Sequence, residues 1–362
     1  MRKALNIEQL DKNFAAATVD CGDVEFFSPR VAPMRMYGLY QPEEPGDFRR
    51  MPPEIAAKVN PGVDSLNWHT AGGRIRFRTD ATKLVVKSIL PSVNFMKHMP
   101  LSGSTCFDVY VDGEFAFNLL PNYDIFDTKT HGDKEDRGFY AARQFPDSRM
   151  RQIELYFPLY NPVSDVLIGL SKGAALEAPE DYTHEVPVVY YGSSITQGGC
   201  VSHPGNSYQA ILSRRFDCKY TNLGFSGNGR AEPVIAQYIA GLNMSAFVMD
   251  YDYNAPTVEH LEQTHEAMFR EVRQAQPMLP IIIVSAADKR PRANPRRREV
   301  ILRTYQNARN AGDENVYFVD GDLIYAQVGE DLCTVDGCHP NDLGFWCMAN
   351  AIGEALEKAL KK

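Results

Sequence analysis

From residue 186 to the C-terminus the chain alternates short apolar runs with helical periods, a rhythm that few architectures accept. Residues 186–191, 220–223, 246–251, 280–285 and 316–319 read as strands. Residues 207–216, 233–240, 258–275, 300–311 and 343–360 read as helices between and after them. Strands separated by helices run parallel and are covered on both faces, so this half predicts an α/β fold. Ligands of such sheets bind beyond the carboxyl ends of the strands. Attention therefore falls on the residues just after Tyr191, Leu223, Tyr251 and Val319.

The first half has a different period. Residues 72–79 and 106–117 alternate apolar with polar side chains, as strands with one buried face do, and Asp112-Gly113 is a hairpin turn signal inside the second run. Residues 83–89 and 152–157 follow the same pattern, and the one helical stretch lies near 53–58. Many short strands punctuated by Pro and Gly predict a β-sandwich accessory domain over residues 1–175. Residues 176–185 are small, polar and acidic and read as a linker, which leaves 186–362 as the second domain.

Charge and cysteine usage narrow the function classes. A net charge of −8 over 362 residues argues against nucleic acid as the main partner, since a phosphate-binding surface needs excess Lys and Arg. No apolar run reaches the roughly 18–20 residues of a membrane span. Residues 1–20 lack the apolar core of a signal peptide, being interrupted by Asn6, Glu8, Gln9, Asp11 and Lys12. The seven cysteines (21, 106, 200, 218, 333, 338 and 347) are odd in number and contain no CxxC pair. They predict reduced, buried thiols in the cytoplasm, with neither a zinc centre nor a disulfide framework.

Four segments carry chemistry, three of them at predicted strand ends. Gly192-Ser-Ser-Ile-Thr-Gln-Gly198 sets Ser194 on a tight strand-to-helix turn, where a hydroxyl can meet a carbonyl beside backbone N–H groups. Asn222-Leu-Gly-Phe-Ser-Gly-Asn-Gly229 is a glycine-rich loop able to expose N–H groups to an anion, and Asn254 follows the third strand, where its amide can donate to an oxyanion. Near the C-terminus, Asp336 precedes His339 by three residues, a spacing at which the carboxylate can hold Nδ1–H and leave Nε2 to take a serine proton. Each segment alone also fits a helix cap or a turn. Their convergence on one sheet edge favours the chemical reading.

Residues 186–362 resemble the SGNH hydrolases, also called GDSL-like lipases or acylhydrolases. The blocks that carry the resemblance are Tyr191-Gly-Ser-Ser-Ile-Thr-Gln-Gly198, Asn222-Leu-Gly-Phe-Ser-Gly227, Asp252-Tyr-Asn254 and Asp336-x-x-His339. The segment running on to Tyr208 is similar to a bacterial subfamily with an N-terminal β-domain, whose signature Phe107–Tyr110 resembles. The resemblance implies a flavodoxin-like three-layer α/β/α domain behind a jelly-roll-like sandwich. It implies Ser194 as nucleophile, His339 as base and Asp336 as orienting acid. It implies an oxyanion hole from the N–H groups of Ser194 and Gly227 and the side chain of Asn254. No cofactor or metal is implied. The sequence departs from the family at Ser193, where aspartate is usual, at Asp252, where glycine is usual, and at Ala255. The expected activity is hydrolysis of small acyl esters, acetyl above all, on carbohydrates. Alternative readings are a thioesterase or lysophospholipase, and a non-catalytic glycan-binding protein on a degenerate hydrolase fold.

Other residues complete the expectations. His203, Arg230 and Tyr191 are candidate substrate contacts, and Trp68 is a candidate sugar-stacking ring. The basic run 289–298 reads as a solvated loop and helix start, and His260 and His265 as surface histidines rather than metal ligands.

Overall fold

The computed structural model describes residues 22–120, 138–287 and 295–361. The reading of residues 1–20, Cys21 and residues 289–294 of the basic run lie outside the described residues.

Five parallel strands form the sheet of the second half, in the order Cys218–Gly224, His184–Gly192, Ala246–Asp250, Ile281–Val284, Val316–Val319. The chain starts in the second position, steps outward and then crosses back. The order therefore reverses at His184–Gly192, and a crevice opens at its carboxyl end. Val188 and Tyr190 point into one apolar cluster, which holds the C-terminal helix Asp342–Leu360. Val189 and Tyr191 point into the opposite cluster, with the helices Pro233–Ala240 and Val258–Ala275. Helices thus cover both faces, as the rhythm predicts. Thr257 caps Val258–Ala275 by accepting from the His260 N–H at 3.1 Å, and Asn341 caps Asp342–Leu360 by accepting from the Gly344 N–H at 3.1 Å. The helix expected over 300–311 runs from Pro295 to Asn310. Its first turn is Pro-Arg-Arg-Arg, which has no apolar period to read but suits a proline start.

The first half contains two antiparallel sheets. One has the order Val24–Phe27, Asp165–Ser171, Lys83–Ile89, Gly138–Gln144. The other has the order Leu176–Glu177, Arg74–Thr79, Arg151–Tyr156, Phe107–Val111, Glu114–Leu119, with Arg35–Tyr37 also paired to Arg74–Thr79. Leu84, Val86 and Ile168 from the first sheet and Ile75, Phe77 and Leu155 from the second share one apolar cluster. The hairpin turn is where the sequence puts it. Asp112 and Gly113 take φ of 51° and 85°, the left-handed pair that a two-residue hairpin requires.

One expectation is corrected here. The alternation in Arg74–Thr79 suggests a solvated outer face, yet Arg74 and Arg76 are buried. That face packs against Tyr220 of the second half, over which the Arg74 guanidinium lies at 3.8 Å, and against Tyr182 of the connecting segment, over which that of Arg76 lies at 3.8 Å. Residues 176–185, read as a linker, pack against the first half. Leu176–Glu177 pairs with Arg74–Thr79, Tyr182 is buried with its hydroxyl donating to Glu154 at 2.9 Å, and the first parallel strand already begins at His184. The helices Pro53–Val59 and Pro61–Leu66 carry the first half further over the second, placing Met51, Ala56 and Val63 in the same cluster as Tyr191.

Candidate active site

The strand His184–Gly192 ends in a glycine, and Ser193 follows as the cap of the short helix Ser194–Gln197. At the position where the family resemblance implies aspartate, the buried Ser193 hydroxyl accepts from the Ile195 N–H at 3.1 Å. Ser194 is thus the first residue of the helix, where a backbone N–H has no intrahelical partner. Among the described residues the N–H groups of Ser194 and Gly227 donate to no other group.

The structure brings Ser194, Asp336 and His339 together. Ser194 Oγ lies 3.0 Å from His339 Nε2, and His339 Nδ1 lies 2.8 Å from Asp336 Oδ2. Asp336 Oδ1 accepts from the N–H groups of Cys338 at 2.9 Å and His339 at 2.8 Å, which fixes the carboxylate. Partial burial by itself would raise the Asp336 pKa. The hydrogen bonds from the His339 ring and backbone outweigh it and hold the carboxyl at about 2. The carboxylate is therefore ionised throughout the neutral range. The turn that bears His339 is tied to the segment that follows Ser194, since the Cys200 N–H donates to the Pro340 carbonyl at 3.2 Å and the Ser202 N–H to Asp342 at 2.9 Å.

The glycine-rich loop packs beside this group. A Cβ on Gly224 would stand 2.2 Å from the Gln197 nitrogen, so only glycine allows the approach of strand to helix. Gly227 takes φ of +70°, which turns the exposed tip of the loop. Asn254 Oδ1 accepts from the Gly229 N–H at 3.2 Å, which orients the amide and leaves Nδ2 as its donor. Asp252 is the residue whose negative charge would oppose an oxyanion nearby. It is 3% exposed and paired instead: Arg297 Nε donates to its Oδ1 at 2.8 Å and the Ala286 N–H to its Oδ2 at 3.1 Å. The Arg297 guanidinium also donates to the carbonyls of Asp252 and of Ala255, the latter at 3.0 Å, and so clamps the turn that presents Asn254. Arg297→Ala would leave the Asp252 carboxylate buried without a counter-charge. Its expected cost is about 3–5 kcal/mol of stability, read as a lowered midpoint of denaturation.

Several contacts come from the first half, where no local signal announces them. Buried Arg50 donates to the carbonyls of Gly224 at 2.5 Å and Leu66 at 2.7 Å, and burial brings its pKa down to about 9. The Tyr160 hydroxyl donates to the Ser194 carbonyl at 2.9 Å. Gln197 Oε1 accepts from the Ser226 N–H at 3.0 Å, while its Nε2 meets His69 Nδ1 at 3.1 Å. Behind the helix Ser194–Gln197, Asp250 accepts from Tyr208 at 3.1 Å and Thr196 at 3.2 Å, and complete burial raises its pKa to about 7.

Some proposed contacts lie elsewhere. Tyr191 is corrected to a core residue, fully buried, with its hydroxyl accepting from the Ala231 N–H at 2.8 Å. Its position at a strand end suggests a pocket rim, but the two-residue period turns it into the sheet's apolar face. His203 is held at the seam between the halves, with Nδ1 2.5 Å from Asp108 Oδ2 and its ring stacked on Phe115. Arg230 folds back onto its own loop, donating to the Gly227 carbonyl at 3.0 Å and 3.1 Å. His265 is buried rather than at the surface, bonded to Thr304 at 2.8 Å and stacked on Tyr251. Arg297 and Arg298, the end of the basic run, are paired with Asp252 and Asp320 rather than solvated. Trp68 lines a cavity of about 520 Å³ with His69, Ser92 and Asn94, one hydrogen bond away from Gln197.

Residues 185–357 match the GDSL-like Lipase/Acylhydrolase family, and residues 24–176 match the N-terminus of SGNH-hydrolase-type esterases. A solved structure described as a GDSL-like lipase from Bacteroides ovatus ATCC 8483 is 27% identical, with a TM-score of 0.81, covering 94% of this chain and 98% of its own. A salicylyl-acyltransferase from a tetracycline biosynthetic pathway shares the fold at 21% identity and a TM-score of 0.74, covering 92% and 97%. An acetyl xylan esterase from the rumen bacterium Butyrivibrio proteoclasticus shares it at 12% identity and a TM-score of 0.57, covering 94% and 99%. No curated protein matches the chain. Among the described residues no helix is long and apolar enough to cross a membrane.

Proposed function

We propose that this chain, whose residues 185–357 belong to the GDSL-like lipase/acylhydrolase family, is a serine esterase that removes small acyl groups, acetyl foremost, from carbohydrates. The observation that carries the reading is the hydrogen-bonded series Ser194–His339–Asp336, at 3.0 and 2.8 Å. His339 Nε2 takes the Ser194 proton as Oγ attacks the ester carbonyl, and Asp336 stabilises the imidazolium that forms. The N–H groups of Ser194 and Gly227 and the Nδ2 of Asn254 receive the oxyanion. His339 then gives its proton to the leaving alcohol, and the acyl-Ser194 ester is hydrolysed by a water that the same histidine deprotonates. Every step is an acid–base or acyl-transfer step that these side chains complete.

Loss of one oxyanion donor removes stabilisation made only in the transition state. Asn254→Ala is therefore expected to lower kcat by about 10²–10³-fold with little change in KM. An unchanged kcat would remove Asn254 from the oxyanion hole.

The carbohydrate part of the reading is supported by the aromatic and polar lining of the Trp68 cavity and by the acetyl xylan esterase among the fold's relatives. It is tested by comparing kcat/KM on acetylated xylo-oligosaccharides, an acyl-coenzyme A thioester and a long-chain fatty acyl ester. Preference for the acetylated sugar is the expected outcome. Preference for either of the other two would replace it with a thioesterase or a lipid acylhydrolase.

A further inference from the structure

His98, Cys200 and His339 meet at the mouth of the Ser194 group, and their ligand atoms all lie within 4.8 Å of one another. His98 comes from the first half of the chain and is exposed, with its ring centroid 5.3 Å from that of His339. Cys200 is buried beneath them, six residues after Ser194 on the segment tied to the Pro340 carbonyl. We propose that these three side chains form a Zn²⁺ site whose occupancy switches the esterase off. The inhibitory consequence rests on the reading of His339 as the base, whereas metal binding itself does not.

The donor set suits this ion. Two imidazoles and one thiolate are the borderline-soft ligands that zinc prefers, at about 2.0–2.1 Å for nitrogen and about 2.3 Å for sulfur. Tetrahedral bonds of that length put the ligand atoms about 3.5 Å apart. The three groups therefore need to close by about an ångström, and exposed His98 is free to swing inward. Asp336 already accepts a hydrogen bond from His339 Nδ1, so Nε2 is the nitrogen left for the metal. The carboxylate behind that ring is the usual outer partner of a zinc-bound imidazole. Zn²⁺ displaces one proton from the Cys200 thiol to solvent, and water fills the fourth position. The lone pair of Nε2, which otherwise faces Ser194 Oγ at 3.0 Å, is then bound to the metal and cannot take the serine proton.

The test uses the whole protein in chelator-free buffer. Titration with Co²⁺ is expected to produce an intense thiolate-to-cobalt charge-transfer band, which is absent in Cys200→Ser and displaced by Zn²⁺. Zn²⁺ is expected to suppress p-nitrophenyl acetate hydrolysis more than about 10-fold, with full recovery in EDTA. His98→Ala, a surface change that leaves the fold alone, should raise the half-inhibitory Zn²⁺ concentration by about 10-fold or more while keeping activity in EDTA. Absence of the cobalt band in the wild type would overturn the site. A cobalt band with undiminished hydrolysis would overturn the switch and point to an error in the role given to His339. A protein that hydrolyses no ester even in EDTA would sink the esterase reading alone, because the band still decides the metal site.

Discussion

Ser194→Ala and His339→Ala are each expected to lower kcat for p-nitrophenyl acetate on the order of 10⁶-fold in the presence of EDTA, with KM changed little. In the proposed mechanism the two side chains act through a single proton transfer across the 3.0 Å contact, so removing either removes the same step. The double variant should accordingly be no slower than the slower single one. What survives is the catalysis that oxyanion donors and substrate binding supply by themselves, roughly 10³–10⁴ over water. Both are small changes at a partly exposed turn, so the folded state should persist. Two independent multiplicative losses would show that serine and histidine act in separate steps.

Asp336→Asn is expected to cost about 10⁴-fold in kcat, for a reason that the local bonds make specific. The N–H groups of Cys338 and His339 both donate to Oδ1, so the asparagine oxygen is pinned at that position. Its NH₂ must then take the place of Oδ2, facing His339 Nδ1. A donor there demands an unprotonated Nδ1, which puts the ring proton on Nε2, where it can no longer accept from Ser194. The shape of the site is kept and the tautomer is wrong. Because the wild-type carboxyl is held at about 2, the loss should be nearly constant across the neutral range rather than recovering at high pH. Full activity in Asp336→Asn would mean that the carboxylate does not set the tautomer.

What the sequence made readable follows from range. Ser194 with its capping Ser193, the glycines 224 and 227, and the Asp336-x-x-His339 turn are local devices, each spelled within a few residues and placed by an alternating strand and helix period. The site's remaining supports act over long separations. Arg50 reaches the Gly224 carbonyl 174 residues away, and Arg297 reaches Asp252 across 45. An arginine in a loop carries no signal that it will lie buried against a carbonyl, and a charged run reads as solvated until its partners are known. The same blindness explains the buried face of Arg74 and Arg76. Alternation shows that a strand has two faces, and only the docking of the two halves decides that neither is wet. Tyr191 fails in the opposite direction, because nearness to Ser194 in sequence suggests a rim while the pleat turns it inward. Asp252 stands where the resemblance implies a glycine, and its pairing with Arg297 accounts for how the charge is tolerated there.

In the proposed reaction Ser194 forms the covalent acyl-enzyme. The most direct measurement is reaction with a fluorophosphonate, followed by peptide mapping of the modified residue. One adduct per chain is expected, on the oxygen of Ser194 and not of Ser193, forming in step with loss of esterase activity and slowed sharply in His339→Ala. Loss of activity with the adduct on another residue, or continued hydrolysis by protein fully modified at Ser194, would contradict it.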